Sequence, residues 1–299
     1  IDPSYRNYDI LDEERQAAII VSHYKDFGLD VLQGQNSKIE TIKRFIETLG
    51  IVYREDIDLD SLSNADLVDA INRYKAFVTS KPQCFLSFDE IISELIRRLE
   101  TTEAVQNRVQ HQFTNIFVDE YQDVDDRQET LIRLLSNDGT IARVCAVGDD
   151  DQAIYRFRGA SVENILTFEE RYPDVEKVTL SDNFRSTHAI VEIANTAVTS
   201  LKIGRKVISG LSRRLQKTMK ATHYDSTSDL FCETMAEYGD VWNCSFDTEE
   251  NEAVFIADKI QELIGFPWQD GDVIRGLSLS DMAILCRSIN HANAVMNEL

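Results

Sequence analysis

Asn115-Ile116-Phe117-Val118, followed at once by Asp119-Glu120-Tyr121-Gln122-Asp123, decides how this chain is read. Four residues suited to a strand run into three acids, and a helical pattern through Gln128, Leu131, Ile132 and Leu135 comes next. The same unit recurs twice. Residues 142–147 end in Gly148-Asp149-Asp150-Asp151-Gln152 and precede a helix beginning near Ser161. Residues 175–180 end in Asp182-Asn183-Phe184-Arg185-Ser186 and precede one through Ile190, Ile193, Ala194 and Ala197. Strands and helices in alternation predict an α/β fold, a parallel sheet with helices on its faces. Such sheets bind ligands just beyond the carboxyl ends of their strands. Those ends are where this sequence places its oddest polar residues.

Outward from this core the pattern changes. Phe88, Ile91, Ile92, Leu95, Ile96 and Leu99 form an amphipathic helical stripe that opens the region. Upstream, to about Lys81, the chain reads as helices. Asp12 caps a segment with Ala17, Val21 and Tyr24 on one face, residues 39–49 repeat the pattern, and a further helix carries Leu67, Ile71 and Tyr74. Gly50 and the acid-rich residues 55–60 read as a loop. Downstream, Asp247 with Glu250 makes a capping-box-like start to a helix bearing Ala253, Ile256, Ile260 and Leu263. Residues 282–286 then read as a strand and 290–299 as a helix. Three regions result: 1–81, 82–200 and 201–299.

The 299 residues carry 31 basic and 52 acidic side chains, a net charge of −21. That length suits about two domains. A hydrophobic content of 43% fills a real core and excludes a disordered acidic tail. No apolar run approaches the ~18 to 20 residues of a membrane span, and the first residues lack a basic-then-apolar signal pattern. Five scattered cysteines without a Cys-x-x-Cys pair argue against a disulfide framework or zinc knuckle, and lead us to expect a cytoplasmic protein. The acidic balance opposes a nucleic-acid partner. Against it stand seven basic residues and no acid between Lys202 and Lys220, read either as a solvated face or as a strip for a polyanion.

At the three strand ends, Asp119, Glu120, Gln152 and Arg185 would converge on one rim. Two carboxylates, an amide and a guanidinium suit magnesium-assisted phosphoryl transfer: an Asp for Mg²⁺, a second carboxylate for the attacking water, and an amide and an Arg for the γ-phosphate. Each has a plainer reading. Acids after a strand often cap the next helix, as Asp123 or Asp125 would here. A lone Gln152 is a surface amide, and a lone Arg185 a solvated or ion-paired one. Tyr155 and Phe157, with Arg156 and Arg158 interleaved, are either a core strand edge or a stacking platform for unpaired bases.

Asp-Glu-Tyr-Gln-Asp, Gly-Asp-Asp-Asp-Gln-Ala-Ile-Tyr-Arg-Phe-Arg-Gly-Ala and Leu-Ser-Asp-Asn-Phe-Arg-Ser together resemble motifs II, III and IV of UvrD/Rep-type superfamily 1 DNA helicases. The resemblance is strongest between about Phe117 and Asn195. It implies RecA-like motor domains using ATP and Mg²⁺ to move 3′ to 5′ on single-stranded DNA. Asp119 would coordinate Mg²⁺, Glu120 would be the base, Gln152 would sense the γ-phosphate, and Arg185 would reach that phosphate from across the cleft. Tyr155, Phe157 and Arg158 would contact the strand. Residues 1–81 resemble the helical insertion of the first motor domain, 82–200 its later part, and 201–299 a basic linker and the start of the second.

Departures bear on activity. The chain has no Gly-x-x-x-x-Gly-Lys-[Ser/Thr] phosphate loop, which the family carries upstream of its helical insertion, so the resemblance implies an internal fragment of a helicase, itself inactive as an ATPase. Phe157 stands where the family often has Trp, and Ile289 where it usually has Asn. Two rivals are a metal-dependent nuclease using Asp119, Glu120 and Asp123, and a degenerate, non-catalytic module that binds DNA or protein.

Overall fold

The computed structural model describes residues 7–81, 83–154, 161–200, 215, 217–225, 230–233, 241–270 and 273–299. The chain divides into two compact units, Ile1–Ser181 with Asn195–Met219, and Asp182–Ala194 with Lys220–Leu299.

In the first unit, β1 (Asp9–Leu11) leads into α1 (Glu13–Ser22), α2 (Leu29–Leu32), α3 (Lys38–Arg54) and α4 (Ala65–Thr79), and β2 (Phe85–Ser87) returns parallel to β1. Side-chain caps set three helix starts. Asp12 accepts from the Arg15 N–H at 2.8 Å, Ser37 from Glu40 at 3.2 Å, and Asn64 from Leu67 at 3.1 Å. Ile20, Phe27, Leu29, Phe45, Leu49, Ile71 and Tyr74 form one core, each contributing on the order of 1.5–3 kcal/mol by burial.

Two expectations fail here for physical reasons. The buried residues of α1 are Gln16 and Ile20, with Val21 on the outside, and Tyr24 is buried just beyond the helix end. A polar residue joins the core because the Gln16 amide donates to the Tyr74 hydroxyl at 2.9 Å. Gly50 does not end α3, which continues through it to Arg54. A Cβ there would lie 2.6 Å from the Arg54 guanidinium, which pairs with Asp89 at 3.0 Å.

α5 (Phe88–Thr101) starts from a Ser87–Glu90 capping box, but Phe88 is exposed and only the far end of its predicted stripe, Ile96 and Leu99, is fully buried. α6 (Glu103–Gln110), which the apolar pattern does not announce, follows. β3 (Asn115–Val118) and β4 (Arg143–Ala146) form a parallel pair, Ile116 opposite Val144 and Val118 opposite Ala146, joined through α7 (Asp126–Ser136). Val118, Val144 and Ala146 pack against Tyr121, Val124, Ile132 and Tyr172. Phe117 and Cys145 point the other way and are exposed.

α8 (Val162–Leu166) and α9 (Phe168–Arg171) complete this core. Its centre is charged. Buried Glu129 of α7 accepts from the Tyr121 hydroxyl and, at 3.1 Å, from the Tyr172 hydroxyl, and pairs with Arg171 at 2.9 Å. Burial first, and then the carboxylate, push both phenols above their ordinary pKa.

The third predicted strand does not form. Residues 175–180 lie in no strand, and Val178 and Leu180 are exposed. In the second unit β5 (Asp182–Asn183) pairs parallel with β6 (Lys220–Asp225), which pairs antiparallel with β7 (Leu230–Glu233); α10 (His188–Ser200) follows β5 and belongs to this unit as far as Ala194. α11 (Glu249–Leu263) is capped by Thr248, one residue after the predicted Asp247, its hydroxyl accepting from the Asn251 N–H at 3.2 Å. An antiparallel ribbon of β8 (Pro267–Asp270) and β9 (Val273–Gly276) follows, and α12 (Ile289–Glu298) packs on α11. Residues 282–286, predicted as a strand, lie in none, and Leu285 is 95% exposed. Among the described residues, then, the predicted sheet is represented by β3 and β4.

Candidate functional site

β3 and β4 end side by side. The Val147 N–H donates to the Val118 carbonyl at 2.8 Å, and the Tyr121 N–H to the Val147 carbonyl at 2.9 Å, so pairing continues past both strands. The backbone reverses at Glu120, whose φ of 49° and ψ of 43° are left-handed. That conformation costs a residue with a Cβ on the order of 1–3 kcal/mol. Two bonds hold it: Asp119 Oδ1 accepts from the Glu120 N–H at 2.9 Å, and the Glu120 carbonyl from the Asp123 N–H at 2.9 Å. Both Asp119 and Glu120 are exposed at the tip.

Gln122 lies beneath them, 1% exposed. Its Nε2 donates to Glu120 Oε2 at 2.6 Å, and its Oε1 accepts from the Asp149 N–H at 3.0 Å. Gly148 makes this possible, because a Cβ there would stand 2.7 Å from Gln122 Oε1 and 3.0 Å from Ile165 Cδ1. Asp149 Oδ2 in turn accepts from Gln152 Nε2 at 2.8 Å. The two strand ends thus share one bonded set: Glu120, Gln122, Asp149 and Gln152. Asp125, not Asp123, caps α7, through a reciprocal pair of bonds with Gln128.

Asp149, Asp150 and Asp151 gather their carboxylates within 4.8 Å of one another, and the Lys217 ammonium sits among them. Its ammonium donates to Asp149 Oδ1 and Asp150 Oδ1 and stands 3.5 Å from Asp151 Oδ2. The Leu215 N–H donates to Asp150 Oδ2 at 2.9 Å. Burial pushes the Asp149 carboxyl up, but hydrogen bonds from Lys217 and Gln152 outweigh it and hold the group below the usual carboxylate range. Burial likewise pushes Lys217 down, and bonding to Asp149 and Asp150 raises it overall. This trio therefore holds an ammonium where three carboxylates alone would suit a divalent cation.

Of the predicted residues, Asp119, Glu120 and Gln152 belong to the first unit, and Arg185 to the second, where its N–H donates to Asn183 Oδ1 at 2.9 Å. Tyr155, Phe157 and Arg158 lie outside the described residues, as does the basic strip from Lys202 to Arg214. Asp119 suits Mg²⁺: it is an exposed carboxylate whose Oδ2 has no hydrogen-bond partner among the described residues, and Mg²⁺ takes one or two carboxylates and fills the rest with water and phosphate. Sequence reasoning missed Gln122 and Lys217. A buried amide within an acidic stretch reads as a surface residue, and Lys217 lies 68 positions from Asp149; the one local hint is Gly148, a small residue between a strand and an acidic turn.

Residues 4–173 match the UvrD/REP helicase N-terminal domain, and residues 178–299 the UvrD-like helicase C-terminal domain. The chain belongs to the UvrD/Rep helicase family. Among curated members it is similar to the ATP-dependent DNA helicase PcrA of Staphylococcus aureus and that of Staphylococcus epidermidis. Each is 29% identical over 297 residues, covering 98% of this chain and 35% of the relative. The chain therefore spans about a third of the length of the curated relatives it matches. As a UvrD/Rep member it combines helices with small sheets, and no helix among its described residues is long and apolar enough to cross a membrane.

Proposed function

We propose that this chain is a segment of an ATP-dependent DNA helicase that couples Mg-ATP hydrolysis to 3′-to-5′ movement on single-stranded DNA. The observation that carries the reading is the bonded set at the ends of β3 and β4, where a carboxylate, Glu120, and an amide, Gln152, are linked through Gln122 and Asp149. Such a rim suits phosphoryl transfer, in which positioning and electrostatic stabilisation do most of the catalysis. Asp119 holds Mg²⁺, which neutralises charge on the phosphates when bound. Glu120 orients the attacking water and takes its proton. Gln152 and Arg185 hold the γ-phosphate, and Tyr155, Phe157 and Arg158 stack on and bind the strand. The family supports reading 1–81 as a helical insertion, 82–200 as the later part of a RecA-like domain, and 201–299 as a basic linker and the start of a second.

The 299 residues contain no phosphate-loop motif to cradle the triphosphate, so the segment by itself is expected not to hydrolyse ATP. Its relatives' greater length supports a larger functional protein. Free Cys84, Cys145, Cys244 and Cys286 support a reducing, cytoplasmic setting. The test is made on the complete protein. Mg²⁺-dependent ATP hydrolysis stimulated by single strands, with unwinding from a 3′ tail and not a 5′ tail, is the expected result. Hydrolysis indifferent to DNA, or unwinding only from a 5′ tail, would overturn the proposal. Cleavage of a labelled strand with Mg²⁺ and no ATP would favour the nuclease reading instead.

A further inference from the structure

We infer that Gln122 is a positioning residue that aims the Glu120 carboxylate and ties it to the turn carrying Gln152. The inference rests on the phosphoryl-transfer reading and adds to it a link between the two strand ends. Three observations carry it. Gln122 is 1% exposed, so its amide must find partners within the protein. It finds one on each strand end: Nε2 donates to Glu120 Oε2 at 2.6 Å, and Oε1 accepts from the Asp149 N–H at 3.0 Å. Gly148, immediately before Asp149, is packed so closely that a Cβ would fall 2.7 Å from Gln122 Oε1. The amide is thus clamped from two sides, and its orientation is fixed by what it accepts and what it donates.

The consequence is directional. Asp149 offers its backbone N–H to Gln122 and its Oδ2 to Gln152 Nε2, at 2.8 Å. A displacement of Gln152 is therefore felt at Asp149, passes through the buried amide, and shifts the carboxylate that orients water. Glu120 is exposed, on a left-handed residue, and its carboxylate accepts from Gln122 Nε2. Without Gln122 its carboxylate would sample many rotamers, and misplacing a catalytic group by about 1 Å costs on the order of a hundredfold in rate.

The test compares the complete protein with Gln122→Leu, Gly148→Ala and Glu120→Gln, measuring single-strand-stimulated ATP turnover, KM for ATP, affinity for a fluorescent ATP analogue, and melting temperature. Gln122→Leu keeps the volume and removes both bonds. Gly148→Ala leaves Gln122 in the sequence and displaces its amide, which keeps the question answerable if the first variant folds poorly. Both are expected to lower kcat about 10- to 100-fold, with KM and analogue affinity within about twofold of the parent. Parental kcat in both variants, or a loss of kcat accompanied by equal losses of nucleotide affinity and melting temperature, would overturn the positioning role. A parent protein that does not hydrolyse ATP, or a Glu120→Gln variant that hydrolyses it at the parental rate, would instead overturn the phosphoryl-transfer reading on which this rests.

Discussion

Replacing Lys217 with Met should destabilise the β4 end of the site, because it removes the cation from a largely buried ion-pair cluster. The ammonium donates to Asp149 and Asp150 and lies 3.5 Å from Asp151; only 13% of its side chain and 4% of that of Asp150 are exposed. Met fills the stem's volume but leaves three carboxylates within 4.8 Å of one another without a cation. Removing one partner of a buried ion pair costs about 3–5 kcal/mol. Asp149 is partly exposed, so water screens part of the loss and we expect about 3 kcal/mol. With a urea slope of about 2 kcal/mol/M, the midpoint of the first unit should fall by roughly 1.5 M.

The pH dependence follows from the two shifts. Asp149 is lowered in the folded chain, so its contribution is complete above its unfolded value of about 3.9 and disappears as pH falls through the folded one. Lys217 is raised, so its contribution is complete below about 10.4 and disappears as pH rises through the folded value. The difference between parent and variant should therefore be flat from about pH 5 to 10 and narrow on the acid side. Urea titrations at several pH values, read by tryptophan-independent circular dichroism, measure it. A difference below about 1 kcal/mol at neutral pH, or one that grows as pH falls below 4, would refute the reasoning.

Glu120→Gln in the complete protein should keep nucleotide binding and lose about a hundredfold or more of DNA-stimulated turnover, checked by steady-state hydrolysis and analogue binding. Glu129→Leu should destabilise the chain by about 3–5 kcal/mol in denaturant titration, because Arg171 and two buried phenols lose their shared carboxylate. Phe157→Ala should weaken single-strand binding by about 1–3 kcal/mol in fluorescence anisotropy if its ring stacks on a base; unchanged affinity would return it to the core.

What the sequence announces is local, and what it hides is mostly long-range. β3 and α7 are legible because four strand-forming residues and a capped 3.6-residue period stand next to each other, and Asp125 can find Gln128 three positions away. Residues 175–180 have the same strand-forming composition, yet a strand needs a partner, and composition does not name one. The apolar pattern points to Ala17 and Val21 where α1 buries Gln16 and Ile20, because Gln16 is held by a bond to Tyr74, 58 positions away. Gly50 reads as a break in sequence, whereas in the fold it leaves room for the Arg54 side chain that reaches Asp89. At the site, the exposed ends Asp119, Glu120 and Gln152 are recognisable by type. Gln122 and Lys217, which fix them, are recognisable only in three dimensions.

The left-handed turn at Glu120 carries one more implication. Conformational tension at that residue is set when the polypeptide folds and is held by bonds to Asp119 and Asp123, while Gln122 holds the carboxylate itself. Whatever molecule arrives at the rim meets an acid group whose bearing was settled beforehand, and need not spend its own docking energy on recruiting it. A glycine at this point would relax the peptide while surrendering the acid, so relief of tension and retention of the carboxylate are mutually exclusive at position 120.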